Sequence, residues 1–114
     1  MCVLYGIKNC DSVKKARAYL DNKQISYRFH DYRLDGLDAS LLQSFIDTLG
    51  LAAVLNQRSS SWRQLSAEQK QDLSPDKALQ LMLDIPTLVK RPIYHNGKQL
   101  IVGFQPELYT TADD

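Results

Sequence analysis

The chain has 114 residues, 44% hydrophobic and 24% charged, a balance that suits one globular domain with a modest core and excludes a disordered segment. No run approaches the ~18 apolar residues needed to span a bilayer. The chain is therefore not expected to be membrane-embedded, and a formal net charge of +1 gives no whole-molecule field able to hold a polyanion, which argues against direct nucleic-acid binding.

The first residues, Met1 to Gly6, run straight into an apolar strand pattern with no basic segment and long apolar region of the secretory type, so a cytoplasmic location is expected. Two cysteines in that compartment are expected to be free or catalytic. If residues 3–7 are extended at ~3.3 Å each, Cys2 lies well over ~10 Å from Cys10, too far for a disulfide.

In chain order, Val3-Leu4-Tyr5 stops at Gly6, and Ile7-Lys8-Asn9-Cys10 leads into a helical pattern. Val13, Ala16, Tyr19 and Leu20 share one face, and Asp11 and Ser12 are residue types that accept hydrogen bonds from free N–H groups at a helix start. The predicted order is strand, loop, helix, with Cys10 at or just before the first turn and the helix ending near residues 21–23. Partial positive charge at a helix start favours an anionic sulfur there, and Lys8, Lys14 and Lys15 add to it. Cys10 is therefore the candidate nucleophile, set against the ordinary role of a free cysteine as a small buried hydrophobe.

Residues 25–32 alternate, with Ile25, Tyr27 and Phe29 on one side and Ser26, Arg28 and His30 on the other, which predicts a half-buried strand parallel to the first. Asp38 reads as an N-cap, with Leu37 and Leu42 placed to form a staple, before a helix that runs to Gly50. A short helical piece over 51–55 follows. Ser66 and Gln69 have capping-box spacing, and Ser74 precedes a proline at the first helical position, predicting helices over 67–73 and 75–84. Residues 38–84 thus read as helical.

Pro86 closes that segment. Asn96-Gly97 predicts a tight hairpin turn with positive φ at both residues, joining strands at 93–95 and 98–102, and a short helix is expected to begin at Pro106 before a frayed end over 110–114. His30 and His95 are isolated, so they read as strand residues, and no metal-ligand spacing occurs. Trp62 and Tyr32 read as core-filling residues with no catalytic part.

Gly-Ile-Lys-Asn-Cys-Asp at 6–11, followed by Lys14-Lys15-Ala16, resembles the active-site loop of the arsenate reductase (ArsC)/Spx family, closest to its short YffB-like branch. The resemblance continues through Tyr27 to Arg33, Leu55 to Arg58, Ser61-Trp62-Arg63 and Leu88 to Ile93. It implies an α/β thioredoxin-like fold, in one domain, with a mixed four-stranded sheet and an all-helical insertion at about 38–84. It also implies Cys10 as the catalytic residue, with Lys8, Asn9, Arg58, Arg91 and Pro92 binding substrate or anion. Taken alone, Arg58 and Arg91 read as surface arginines on loops. Pro92 is implied to be cis, turning the Arg91 backbone groups toward a peptide or glutathione strand.

No tightly bound cofactor is implied. Val13 stands three residues after Cys10 where a resolving cysteine would be, so an external thiol must resolve any mixed disulfide. Glutathione is the expected co-substrate, its carboxylates suited to Lys8 and Arg91. The resemblance leaves two other activities open. One is arsenate reduction coupled to glutathione or glutaredoxin, although Gly103-Phe104 stands where arsenate reductases of this family carry a third arginine. The other is Spx-like binding to RNA polymerase, although the usual Cys-x-x-Cys switch is absent.

Overall fold

The computed structural model describes residues 2–111, and its chain divides into two compact units, Leu37–Lys90 and the remainder on either side. In the flanking unit, alternating burial along β1 (Cys2–Gly6) puts Cys2, Leu4 and Gly6 on one face. That face receives α1 (Asp11–Asn22) through Val13, Ala16 and Leu20, all fully buried. Gly6 is where strand and helix meet most closely: a Cβ there would lie 2.7 Å from Val13 Cγ2, so any larger side chain pushes into a stiff β-branched neighbour.

β2 (Tyr27–Asp31) runs parallel to β1, with Leu4 opposite Phe29. β3 (Ile93–His95) is antiparallel to β1, with Leu4 opposite Tyr94, and β4 (Leu100–Val102) is antiparallel to β3. The sheet order β2-β1-β3-β4 is the mixed four-stranded sheet expected from the sequence. Its core joins Cys2, Leu4, Val13, Ala16, Leu20, Tyr94, Ile101 and Tyr109, with Tyr27 and Phe29 packed against them.

Within the Leu37–Lys90 unit, α2 (Ala39–Leu49) starts at Asp38, whose carboxylate accepts the Leu41 N–H at 2.8 Å. α3 (Leu51–Val54) and α4 (Ser60–Arg63) are single turns, the second capped by Ser59. α5 (Ala67–Lys70) carries the predicted capping box, and α6 (Pro75–Asp84) starts at Ser74 with proline at its first position. Leu42, Phe45, Val54, Ala78 and Met82 are its fully buried side chains along the helices.

Four local expectations need correction. The N-cap of α1 is Cys10 itself, so Asp11 and Ser12 lie inside the first turn and do not cap it. α5 ends at Lys70 and not at 73, because Gln71 is extended and Asp72 takes positive φ. The hairpin turn is centred one residue later, on Gly97-Lys98: Asn96 N–H bonds to the Gln99 carbonyl at 3.1 Å, β4 begins at Leu100, and of the two predicted residues Gly97 alone has positive φ. Asn96 is buried and its side-chain oxygen accepts the N–H groups of Lys98 and Gln99 at 2.9 and 2.8 Å. Finally, Pro106–Leu108 forms a single 3-10 turn, and Thr110 is held by the Tyr94 hydroxyl at 3.0 Å; the rest of the predicted frayed end, 112–114, lies outside the described residues.

Candidate active site

Parallel pairing of β1 with β2, and antiparallel pairing of β1 with β3, bring three segments to one end of the sheet. They are the loop after β1, the turn after β2 and the lead-in to β3. Cys10 belongs to the first. It sits at the N-cap of α1 with extended backbone (φ −118°, ψ 127°), and its carbonyl accepts the Lys14 N–H at 2.9 Å. Its side chain makes no capping hydrogen bond, and it packs half-buried against the core cluster. The first-turn N–H groups of α1 are thus left without a side-chain cap at the residue that carries the thiol. Lys8 and Asn9, just before it, are exposed.

The turn after β2 is held tightly by a residue the sequence reading passed over. Asp31 is 4% exposed; its carboxylate accepts the Arg33 N–H at 2.8 Å, and its own N–H bonds to the Asp35 carboxylate at 3.0 Å. Tyr32 N–H bonds to the Gly6 carbonyl at 2.8 Å, tying this turn to the residue from which the Cys10 loop departs. On the face away from α1, Tyr5 packs its ring against His30 at 5.1 Å, and His30 Nε2 donates to the Gly36 carbonyl at 2.7 Å.

The lead-in to β3 carries Arg91 and Pro92. The bond between them is cis, Pro92 is buried, and its carbonyl accepts the Gly103 N–H at 2.8 Å. Arg91 is half-buried, with Nε shielded from solvent. Burial pushes the Tyr32 phenol far above the ordinary range for a tyrosine, with the Arg91 charge opposing that effect, so the two side chains are electrostatic neighbours. Tyr32 is 2% exposed, and its hydroxyl has no hydrogen-bond partner among the described residues.

The structure thus brings Lys8, Asn9, Cys10, Arg91 and Pro92 to one sheet end, within one unit. Arg58 belongs to the other unit, on the loop after α3. Cys2 is a free thiol buried in the core of the sheet, unavailable as a resolving partner. Phe104 is one of a cluster of rings: Tyr19 and Tyr109 meet it at 5.9 and 5.5 Å, and Tyr109 stacks on Tyr94 at 4.5 Å. Among the described residues no group of three or more metal-ligating side chains occurs, and no helix is long and apolar enough to cross a membrane.

The ArsC family model matches residues 5–112. Among solved structures, the YffB protein is 43% identical, with 96% of each chain covered and a TM-score of 0.91. An arsenate reductase (ArsC) related protein from Brucella melitensis is 41% identical, covering 95% of this chain and 90% of its own, at a TM-score of 0.78. Among curated proteins, global transcriptional regulator Spx 2 of Bacillus anthracis is 28% identical over 109 residues, which is 94% of this chain and 82% of that protein.

Proposed function

The chain belongs to the ArsC family, and on that footing we propose that it is a glutathione-dependent thiol–disulfide oxidoreductase with Cys10 as its nucleophile. The observation that carries the reading is the placement of Cys10: a half-buried sulfur at the uncapped start of α1, with the second cysteine sealed in the core. In the first step the Cys10 thiolate attacks a glutathione mixed disulfide, forming a Cys10–glutathione disulfide and releasing the other sulfur as a thiolate that takes up a proton. A second glutathione thiolate then attacks that disulfide, giving oxidised glutathione and regenerating Cys10. Net, one free glutathione is consumed: it leaves as oxidised glutathione joined to the glutathione of the mixed disulfide, the other sulfur leaves as a thiol, and the exchange balances without a bound cofactor. Lys8, Asn9, Arg91 and Pro92 border the sulfur's end of the sheet, and cations there suit glutathione's carboxylates.

The test is turnover of a small glutathione mixed disulfide with glutathione as reductant. Cys10→Ser is expected to abolish it, and Cys2→Ser to retain it. Mass spectrometry of the wild-type chain treated with oxidised glutathione is expected to show one adduct of glutathione mass, on Cys10. Activity surviving in Cys10→Ser would sink the mechanism.

The likeness to a protein named as a global transcriptional regulator favours a second reading, in which the domain binds RNA polymerase and Cys10 is a sensor or a relic. Against it stands the missing partner thiol at position 13, which removes the two-cysteine switch. Saturable binding of the purified chain to purified RNA polymerase, with no disulfide turnover, is the result that would select it.

A further inference from the structure

The end of α1 remote from Cys10 closes on its own backbone. Lys23 N–H bonds to the Tyr19 carbonyl, Gln24 N–H to that of Asp21 and Ile25 N–H to that of Leu20, each at 3.0 Å. Satisfying the last-turn carbonyls in this way requires left-handed backbone at position 24, which glycine usually supplies; Gln24 supplies it here at φ 57°. The twelve residues of α1 span ~18 Å, so the connection beyond Asn22 lies well away from the thiol. A cavity of about 420 Å³ opens at this end, in the same unit as Cys10.

Two tyrosines give the cavity its aromatic surface. Tyr109 is 1% exposed, stacks on Tyr94 at 4.5 Å and donates its hydroxyl to the Gly103 carbonyl at 2.8 Å, so it offers a ligand only its ring. Tyr19 stands edge-on to that ring at 6.3 Å. The rim is polar: the Gln24 amide and the Ser26 hydroxyl are exposed and have no hydrogen-bond partner among the described residues. Among the described residues Lys23 is the one charged side chain in the lining. Its Nζ lies 5.8 Å from the centre of the Tyr19 ring, and no described carboxylate pairs with it. A cationic ligand would meet the repulsion of that ammonium, and a neutral one would leave it to water. A phosphate dianion would find one cation and the negative end of the α1 dipole, so part of its charge would stay unpaired. A monoanion matches the single ammonium. Its remaining surface must be flat and apolar to lie against the tyrosines, and the volume, near the lower end for small-molecule sites, suits one ring on a short arm.

We propose that this cavity binds a small aromatic monocarboxylate, its carboxylate paired with Lys23 and its ring set against Tyr19 and Tyr109. The site is separate from the thiol chemistry and stands or falls independently of it.

The experiment titrates the full isotope-labelled chain with 3-phenylpropionate and follows backbone amide shifts. Saturable shifts at Lys23, Gln24, Ser26 and Thr110 are expected. The neutral 3-phenylpropionamide and the non-planar 3-cyclohexylpropionate are both expected to bind more weakly. Lys23→Met keeps the aliphatic stem and drops the charge; it is expected to weaken 3-phenylpropionate about fivefold, and Lys23→Arg to retain it. Melting temperatures of both variants separate lost binding from lost folding, and the comparison of acid with amide, made on the wild-type chain, needs no variant to fold. Cys10→Ser is expected to bind as wild type. Absence of saturable shifts at these amides, equal binding of the amide, or wild-type affinity in folded Lys23→Met would overturn the site. Equal binding of 3-cyclohexylpropionate would overturn the aromatic assignment, and phenyl phosphate matching 3-phenylpropionate in affinity would overturn the choice of a monocarboxylate.

Discussion

At the scale of single residues, Tyr32 shows best how composition and place part company. As a large aromatic after a strand it reads as core filler, and by burial it is one. Yet its hydroxyl is shielded beside Arg91 without a hydrogen-bond partner among the described residues, and a buried polar group in that position costs stability. Tyr32→Phe is therefore expected to leave the chain as stable as before or more so, by up to ~1 kcal/mol. Urea melts with unchanged slope are the check. A loss beyond ~1 kcal/mol would mean that the hydroxyl is bonded in solution. The same contrast applies to Cys10 and Cys2. Their identities are equal, and what distinguishes them is that the sequence around Cys10 announces a helix start while Cys2 falls on the buried side of a strand pattern.

At the scale of elements, what could be read depended on whether the signal was local. The Asp38, Ser66 and Ser74 caps were legible because each is one side chain reaching a backbone N–H three residues ahead. The hairpin turn was misplaced for a physical reason: Asn96 does not adopt left-handed backbone but lends its side-chain oxygen to the next two N–H groups, which moves the turn onto Gly97-Lys98. Asn96→Ala leaves both N–H groups without that acceptor in a half-buried turn. A loss of about 1–3 kcal/mol is expected in chemical denaturation, and Asn96→Asp, which keeps the oxygen, should lose less. Equal losses in the two variants would show that the oxygen is not the anchor. Asp31 escaped notice because nothing in the spacing of a strand-end carboxylate says that the turn beyond it will fold back onto it.

At the scale of the whole molecule, topology was legible and the anion chemistry only in part. Alternation and helical periodicity were enough to name the elements in chain order, because each pattern reports which face is buried, while the mixed four-stranded sheet was implied by the family resemblance. The place of Lys90 beside Val54 depends on pairing between residues more than thirty apart, which no local pattern records. The same whole-molecule view bears on arsenate. A net charge of +1 provides no steering field for a doubly charged oxyanion, and Phe104 contributes no donor. That ring is committed to its neighbours Tyr19 and Tyr109, so replacing it changes the core before it changes the site. An underpaired dianion in a partly shielded site is costly, whereas a disulfide sulfur is neutral and makes no such demand. Wild-type chain with glutathione is therefore expected to reduce arsenate feebly or not at all under conditions where a glutathione mixed disulfide is turned over. Phe104→Arg is expected to lower the melting temperature without conferring arsenate turnover, because the added cation comes at the expense of a ring that holds Tyr109 and α1 together. Vigorous arsenate reduction by the unmodified chain would reverse this order of substrates and return the oxyanion to first place.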